Sequence, residues 1–331
     1  MSGRSGAVST STTLRDAPRF DRGRHRLGVA TAAATLVLIF AGGLVTSTGS
    51  GLSVPDWPLS YGMLMPPMVG GVFYEHSHRM VASLVGLLTL VLAVWTARAE
   101  VRPDVRRLAW VALAAVVAQG VLGGLTVIYL LPTPVSVAHA CLAQTFLCIV
   151  VALAYATSRE WLDAPADSVD GAGLRGAALT AAVVVYVQLV IGAVMRHIGA
   201  GLAIPDFPLA FGHLVPPAAS LPVLVHFAHR VGALVVLIAV ARLLLRARRS
   251  GDPRFVSLAS ALLGLVLFQI ALGAATVLTT KALTPTTLHV ATGAALLGGC
   301  WLATLRSFRL LRPRPAAAAF EAPAARPVAQ S

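Results

Sequence analysis

The chain has 331 residues, of which 57% are hydrophobic and 12% charged, and its mean hydropathy is +0.79. Soluble domains carry about 25% charged residues, so an ordinary soluble domain is excluded and a polytopic membrane protein is expected. A formal net charge of +13 raises nucleic acid as a partner, but the basic residues are placed as topology signals, and no nucleic-acid face is expected.

Residues 1–26 read as a low-complexity, disordered tail carrying Arg4, Arg15, Arg19, Arg22, Arg24 and Arg26. The first apolar run starts near Leu27 and is too long for the core of a cleavable signal, so it is expected to remain as a span. A window of about 19 residues gives eight spans, at 27–47, 77–97, 108–130, 136–157, 175–196, 223–245, 257–279 and 287–308. The connections alternate in charge. Arg98, Arg102, Arg106 and Arg107 follow the second span, and Arg242, Arg246, Arg248, Arg249 and Arg254 surround the end of the sixth. The linker 158–174 is mixed, and the tail 310–331 is again basic and of low complexity. The connections on the other side hold little beyond Arg196 and Lys281. The positive-inside rule then puts both termini in the cytoplasm, with the protein in the cell membrane and in contact with lipid. Cys141, Cys148 and Cys300 all lie in apolar runs without zinc-type spacing and read as packing residues.

The chain is written twice. "GGLVTSTGSGLSVPDWPLSYGMLMPP" (42–67) aligns without a gap on "GAVMRHIGAGLAIPDFPLAFGHLVPP" (192–217), and "QGVLGGLTV" (119–127) matches "QIALGAATV" (269–277). Each half, 27–157 and 175–309, holds an even number of spans, so both insert the same way up. That is a parallel repeat about an axis along the membrane normal, and the fold class is all-α: eight transmembrane helices in two four-helix bundles. The long first outer loop of each half, with Trp57 or Phe207 in a Pro-Asp-aromatic-Pro setting, is suited to fold over the bundle mouth.

Four histidines recur with the duplication: His78, His139, His229 and His289, each about one turn into an even-numbered span. Imidazole pairs on facing bundle helices are how a protein holds porphyrin iron, so one haem site per half is expected. Arg79 and Arg230 each follow one of these histidines, and an intramembrane arginine usually has an anionic partner, for which haem propionates qualify. Glu75 shares a helix face with His78, whereas the same register in the second half gives His226 and His229. A carboxylate at a porphyrin edge can accept protons or steer charge, so the first half is expected to react and the second to keep a permanent haem. His76 is expected on another face, and His197 and His213 beside the second loop. Gln119, Gln188 and Gln269, each four residues before a glycine, point to close helix approach with an amide bond across helices.

"TGSGLSVPDWP", "EHSHR", "RHIGAGLAIPDFPLAFG", "HFAHR" and the two later histidines together resemble the haem A synthase family over about residues 27–308. The resemblance implies an oxidoreductase that converts the C8 methyl of haem O to a formyl by successive hydroxylations, for terminal oxidase assembly. It implies haem b on His229 and His289, substrate haem O on His78 and His139, and Glu75 as the essential acid. By pathway, a haem O synthase and an oxidase assembly factor are its implied partners. Many bacterial members carry a cysteine pair in the first outer loop, whereas residues 49–67 here contain none, so the chain resembles the cysteine-free type. Two other readings stand beside this one: a di-haem electron-transfer protein linked to quinol, and a haem carrier or exporter.

Overall fold

A computed structural model describes residues 19–163, 168–170, 172–217 and 219–312; most of both expected tails and part of the linker lie outside them. The described chain is all-α, with helices α1 (Arg22–Ser47), α2 (Gly70–Ala99), α3 (Pro103–Ile128), α4 (Thr133–Ala156), a short α5 (Arg159–Asp163), α6 (Leu174–His197), α7 (Leu221–Ser250), α8 (Pro253–Leu278) and α9 (Leu283–Leu310). All but α5 are long and apolar enough to span a membrane, which makes this a multi-pass membrane protein. Ser168–Val169 and Leu311–Arg312 add a two-residue parallel strand pair.

The helix starts follow from local chemistry. Asp21 caps α1 by accepting from the backbone N–H of Gly23 and Arg24, and Asp252 caps α8 through Arg254 N–H. Proline occupies the first turn of α3, α4, α7 and α8, where its missing N–H has no helical acceptor to lose. Every spanning helix begins earlier than the hydropathy window places it. Arg22, Arg24 and Arg26, assigned to a disordered tail from sequence, are the first turns of α1. The reason is a buried ion cluster: Arg24 lies 3.1 Å from Glu100, with side chains 2% and 1% exposed, and Arg102 closes on the same carboxylate at 2.9 Å.

Helix neighbours pair off as a parallel duplication requires. Contacts α1–α2, α2–α3, α3–α4 and α1–α4 in the first half are matched by α6–α7, α7–α8, α8–α9 and α6–α9 in the second. Between the halves, α1 meets α9, α4 meets α6, and α4 meets α9, so the pseudo-twofold axis passes between α4 and α9. Polar contacts stitch this seam: the Trp301 indole N–H donates to Cys148 O at 3.0 Å, and the Thr145 and Tyr186 hydroxyls lie 2.9 Å apart. Outward positions such as Val37, Leu87, Val117, Ile238 and Leu267 are exposed apolar side chains, as a lipid-facing surface demands.

Residues 48–69 and 198–217 form the cap loops, folded over the same end of their bundles. In each, an aspartate accepts two consecutive backbone N–H groups. Asp56 takes those of Tyr61 (2.6 Å) and Gly62 (2.8 Å), and Asp206 takes those of Phe211 and Gly212, both at 2.8 Å. These bonds hold both carboxyls below the usual aspartate range. Gly62 and Gly212 sit at φ 69° and 76°, a left-handed turn that glycine enters without strain.

Candidate functional site

The four recurring histidines occupy matched stations at the cap end. His78 and His229 stand eight residues into α2 and α7, and His139 and His289 stand six residues into α4 and α9. At 1.5 Å per residue these are depths of about 12 and 9 Å from the helix start. Each histidine thus stands about two turns from its helix start, because all four helices begin earlier than their apolar runs.

Each imidazole rests on a glycine of the preceding helix. A Cβ built on Gly42 (α1) would lie 3.1 Å from His78 Cε1, and one on Gly123 (α3) 3.2 Å from His139 Cε1. In the second half the distances are 2.9 Å from Gly192 (α6) to His229 and 3.1 Å from Gly273 (α8) to His289. The four glycines are thus seats for four rings. Three seats carry the expected amide one turn away: Gln119, Gln188 and Gln269 donate to the backbone carbonyls of His139, His229 and His289 at 2.9, 2.7 and 2.7 Å. Thr292 orients the last of these by donating its hydroxyl to Gln269 Oε1. The fourth seat has Leu38 in the glutamine's place.

The His229 and His289 ring centres are 6.2 Å apart and tilted by 67°. Two imidazoles on opposite sides of one ion need about 6 Å, made of two metal–nitrogen bonds of about 2 Å and about 1 Å from each nitrogen to its ring centre. Both rings line a cavity of about 440 Å³, within the span of about 300–1,000 Å³ typical of cofactor and ligand sites. Outside that pair the first-half rings keep Nδ1 buried without a hydrogen-bond partner, in both His78 and His139. No cluster of three or more His, Cys, Asp or Glu occurs among the described residues. Seated rings, their separation and the cavity fit an iron porphyrin gripped from two sides.

Glu75 and the two arginines work on the cap loops. Glu75 is 4% exposed; one oxygen accepts from Arg79 at 2.7 Å and the other from Val54 N–H at 2.9 Å. Arg79 also donates to the carbonyls of Asp56 and Leu59, both at 2.8 Å. Arg230 repeats this with Leu209 O (2.8 Å), Asp206 O (2.7 Å) and Ile204 O (3.0 Å), and it lines the cavity. His226 stands in the place of Glu75, with Ile204 N–H 3.2 Å from Nδ1 and Arg230 Nε 3.2 Å from Nε2. His76 faces away from His78, as expected, and lies 2.8 Å from the Ser60 hydroxyl, so it too holds the first cap. His197 lines the cavity, whereas His213 joins its loop through backbone bonds to Ala210.

Sequence reasoning did not foresee Trp57 as part of the first site. A Cβ on Gly124 would lie 2.6 Å from its indole, so the ring packs on the α3 backbone one residue from the His139 seat. The adjacent glycines at 123 and 124 were the available signal.

The COX15-CtaA family of cytochrome oxidase assembly proteins matches residues 25–71 and 69–301. The chain belongs to this family. Among curated relatives, a protein of Symbiobacterium thermophilum named heme A synthase is 36% identical over 67% of this chain and 75% of its own length. Relatives of the same name from Shouchella clausii and Halalkalibacterium halodurans are 32% and 30% identical, each over 79% of this chain and 89% of theirs. The family match runs through both cap loops and all four histidine seats, so it covers both halves of the duplication.

Proposed function

We propose that this protein is a haem A synthase of the cell membrane, oxidising the C8 methyl of haem O to a formyl group through successive hydroxylations. The observation that carries the proposal is the duplicated pair of glycine-seated imidazoles at matched stations of the two halves, in a chain of this family. The two halves take different haems. His78 and His139 hold the substrate haem O in the first half, and His229 and His289 hold a resident haem b in the second. When bound, haem b supplies one-electron redox chemistry close to the substrate site.

The chain's own groups orient, shield and move protons. The glycine seats set where the four imidazoles stand, and amide bonds tie the backbones of three of them to the neighbouring helix. The cap loop, latched by Arg79, His76 and Asp56, excludes water from the mouth of the first site, and Trp57 closes its α3 side. Glu75 is the acid–base group of the first half: its carboxylate accepts protons released as the methyl is oxidised. Both termini lie in the cytoplasm, so both sites open toward the outer face. A haem O synthase supplies the substrate, and an oxidase assembly factor receives the product.

The test is co-expression with a source of haem O followed by chromatography of extracted pigments. Glu75→Gln keeps an acceptor for Val54 N–H or Arg79 but removes the titrating carboxyl. Haem A is expected to fall by at least about a hundredfold, the usual worth of a general acid–base group, with haem O or its alcohol accumulating. An unchanged haem A yield removes Glu75 from the mechanism. A protein that holds two identical haems at full occupancy and forms no haem A supports the electron-transfer reading instead.

A further inference from the structure

The two sites share their ring seats and their cap arginines but differ in the charge around them. Three positions of the second half that line its cavity are Arg196, His197 and Lys281. The residues 150 positions earlier are Thr46, Ser47 and Leu131; Thr46 and Ser47 reach across the seam to line this same cavity, so the informative pair is Lys281 and Leu131. The backbone at the third position is the same in both halves. Leu131 and Lys281 are left-handed, at φ 61° and 68°. Each lies over the equivalent cap-loop glycine: a Cβ on Gly51 would be 3.3 Å from Leu131 Cδ1, and one on Gly201 3.2 Å from Lys281 Cε. The duplication has preserved the place and exchanged an apolar side chain for a cation.

These second-half cations have only neutral partners. Arg196 reaches across the seam and donates to Gly43 O (3.1 Å) and the Ser47 hydroxyl (2.8 Å). Among the described residues no carboxylate pairs with Arg196, Lys281 or Arg230. Arg196 and Lys281, cations lining an apolar cavity without an ion-pair partner among the described residues, favour an anionic guest. Arg79 and Arg230 both donate to cap-loop carbonyls, but Arg79 is also neutralised by Glu75, so the first half carries less unpaired positive charge at this station as well.

Resting on the haem A synthase reading, we propose that Arg196, Lys281 and His197 form a cradle for the carboxylates of the porphyrin in the second half. The first half lacks the Lys281 arm of this cradle, because Leu131 stands in its place. The second site therefore retains its haem, and the first lets substrate and product exchange. A resident cofactor and a turning-over substrate of nearly the same shape are sorted by charge at the carboxylate edge, with identical iron ligation.

The experiment follows haem loss from the full-length protein in detergent to excess apomyoglobin. Lys281→Ala is made in a His78→Ala/His139→Ala background, so that only the second half holds haem; Lys281 is exposed, and its loss leaves the bundle core intact. Haem loss is expected to accelerate by roughly ten- to hundredfold, the worth of one charged hydrogen bond. Leu131→Lys, in a His229→Ala/His289→Ala background, is expected to slow loss from the first half by a similar factor. Haem dimethyl ester, which has no free carboxylate, is expected to leave Lys281→Ala and its parent at equal rates. Unchanged loss in both variants, with haem bound, overturns the cradle; a lipid headgroup seated on these cations gives that result. Protein that binds no haem in either background contradicts the haem A synthase reading itself.

Discussion

Glu75 and His226 occupy the same station in the two halves, and the chemistry around them is the same: a cap-loop N–H on one side and an arginine four residues along the helix on the other. The first half answers with a carboxylate, which accepts both donors at 2.9 and 2.7 Å. The second answers with an imidazole, whose two contacts are both 3.2 Å. A neutral imidazole has a single acceptor nitrogen, whereas a carboxylate is acceptor-only at both oxygens. The carboxylate is thus the better latch, and in the proposed function it is also the proton acceptor of the reacting half. The comparison teaches that one station can latch the cap loop in both copies of a duplication while only one copy places a carboxyl there.

The largest effect is expected from making the first half resemble the second. Glu75→His retains a nitrogen for the latch but removes the carboxyl, and haem A formation is expected to drop by at least about a hundredfold, with haem still bound at both sites. Pigment chromatography and the haem-to-protein ratio report the two outcomes separately. Loss of bound haem together with activity shows that the latch, and not the proton, is what the carboxylate supplies.

A middle-sized effect probes the ring seats. Gly192→Ala places a methyl 2.9 Å from His229 Cε1, inside normal contact, so the imidazole or α6 has to move. Overpacking of this kind destabilises by about 1–3 kcal/mol. The expected readout is a shifted haem absorption spectrum and weaker retention in the second half, with the first-half spectrum unaltered. Gly86, which has no atom near its added Cβ, is the control position and is expected to tolerate alanine.

The smallest effect concerns the amide clamp that the first half lacks at Leu38. Gln188→Leu removes a hydrogen bond to His229 O of 2.7 Å and copies the first half. Interhelical hydrogen bonds in membranes average about 0.6 kcal/mol, so the thermal midpoint is expected to fall by only a few degrees, with haem still bound. A collapse of the fold instead would show that the three glutamines are essential to bundle assembly.

Much of this architecture was legible in the sequence because membrane spanning and duplication leave strong marks. Eight apolar runs, the 150-residue offset and four recurrent histidines fixed the number of helices, the parallel repeat and the ligand candidates. The glutamine–glycine spacing also predicted an amide bond across helices, and the bonds to His139, His229 and His289 bear that out. Helix starts were misread because a hydropathy window cannot see polar groups that a tertiary partner neutralises. Arg24 is helical and buried because Glu100 lies against it, 76 residues away in sequence. The latch contacts of His76 and His226 were not legible either, since their partners Ser60 and Ile204 sit in loops whose path only the fold defines. Arg79 and Arg230 were read toward propionates, and the structure adds the loop carbonyls that occupy their donors.

The central claim is that the two imidazole pairs hold two different haems. It is tested most directly by extracting pigment from purified wild type, His78→Ala/His139→Ala and His229→Ala/His289→Ala, each co-expressed with a haem O source. The account predicts that the first double variant keeps haem b and loses haem O and haem A, and that the second loses haem b while haem O still binds. Haem b remaining in full after removal of both His229 and His289, or the same pigment mixture in both variants, would contradict it.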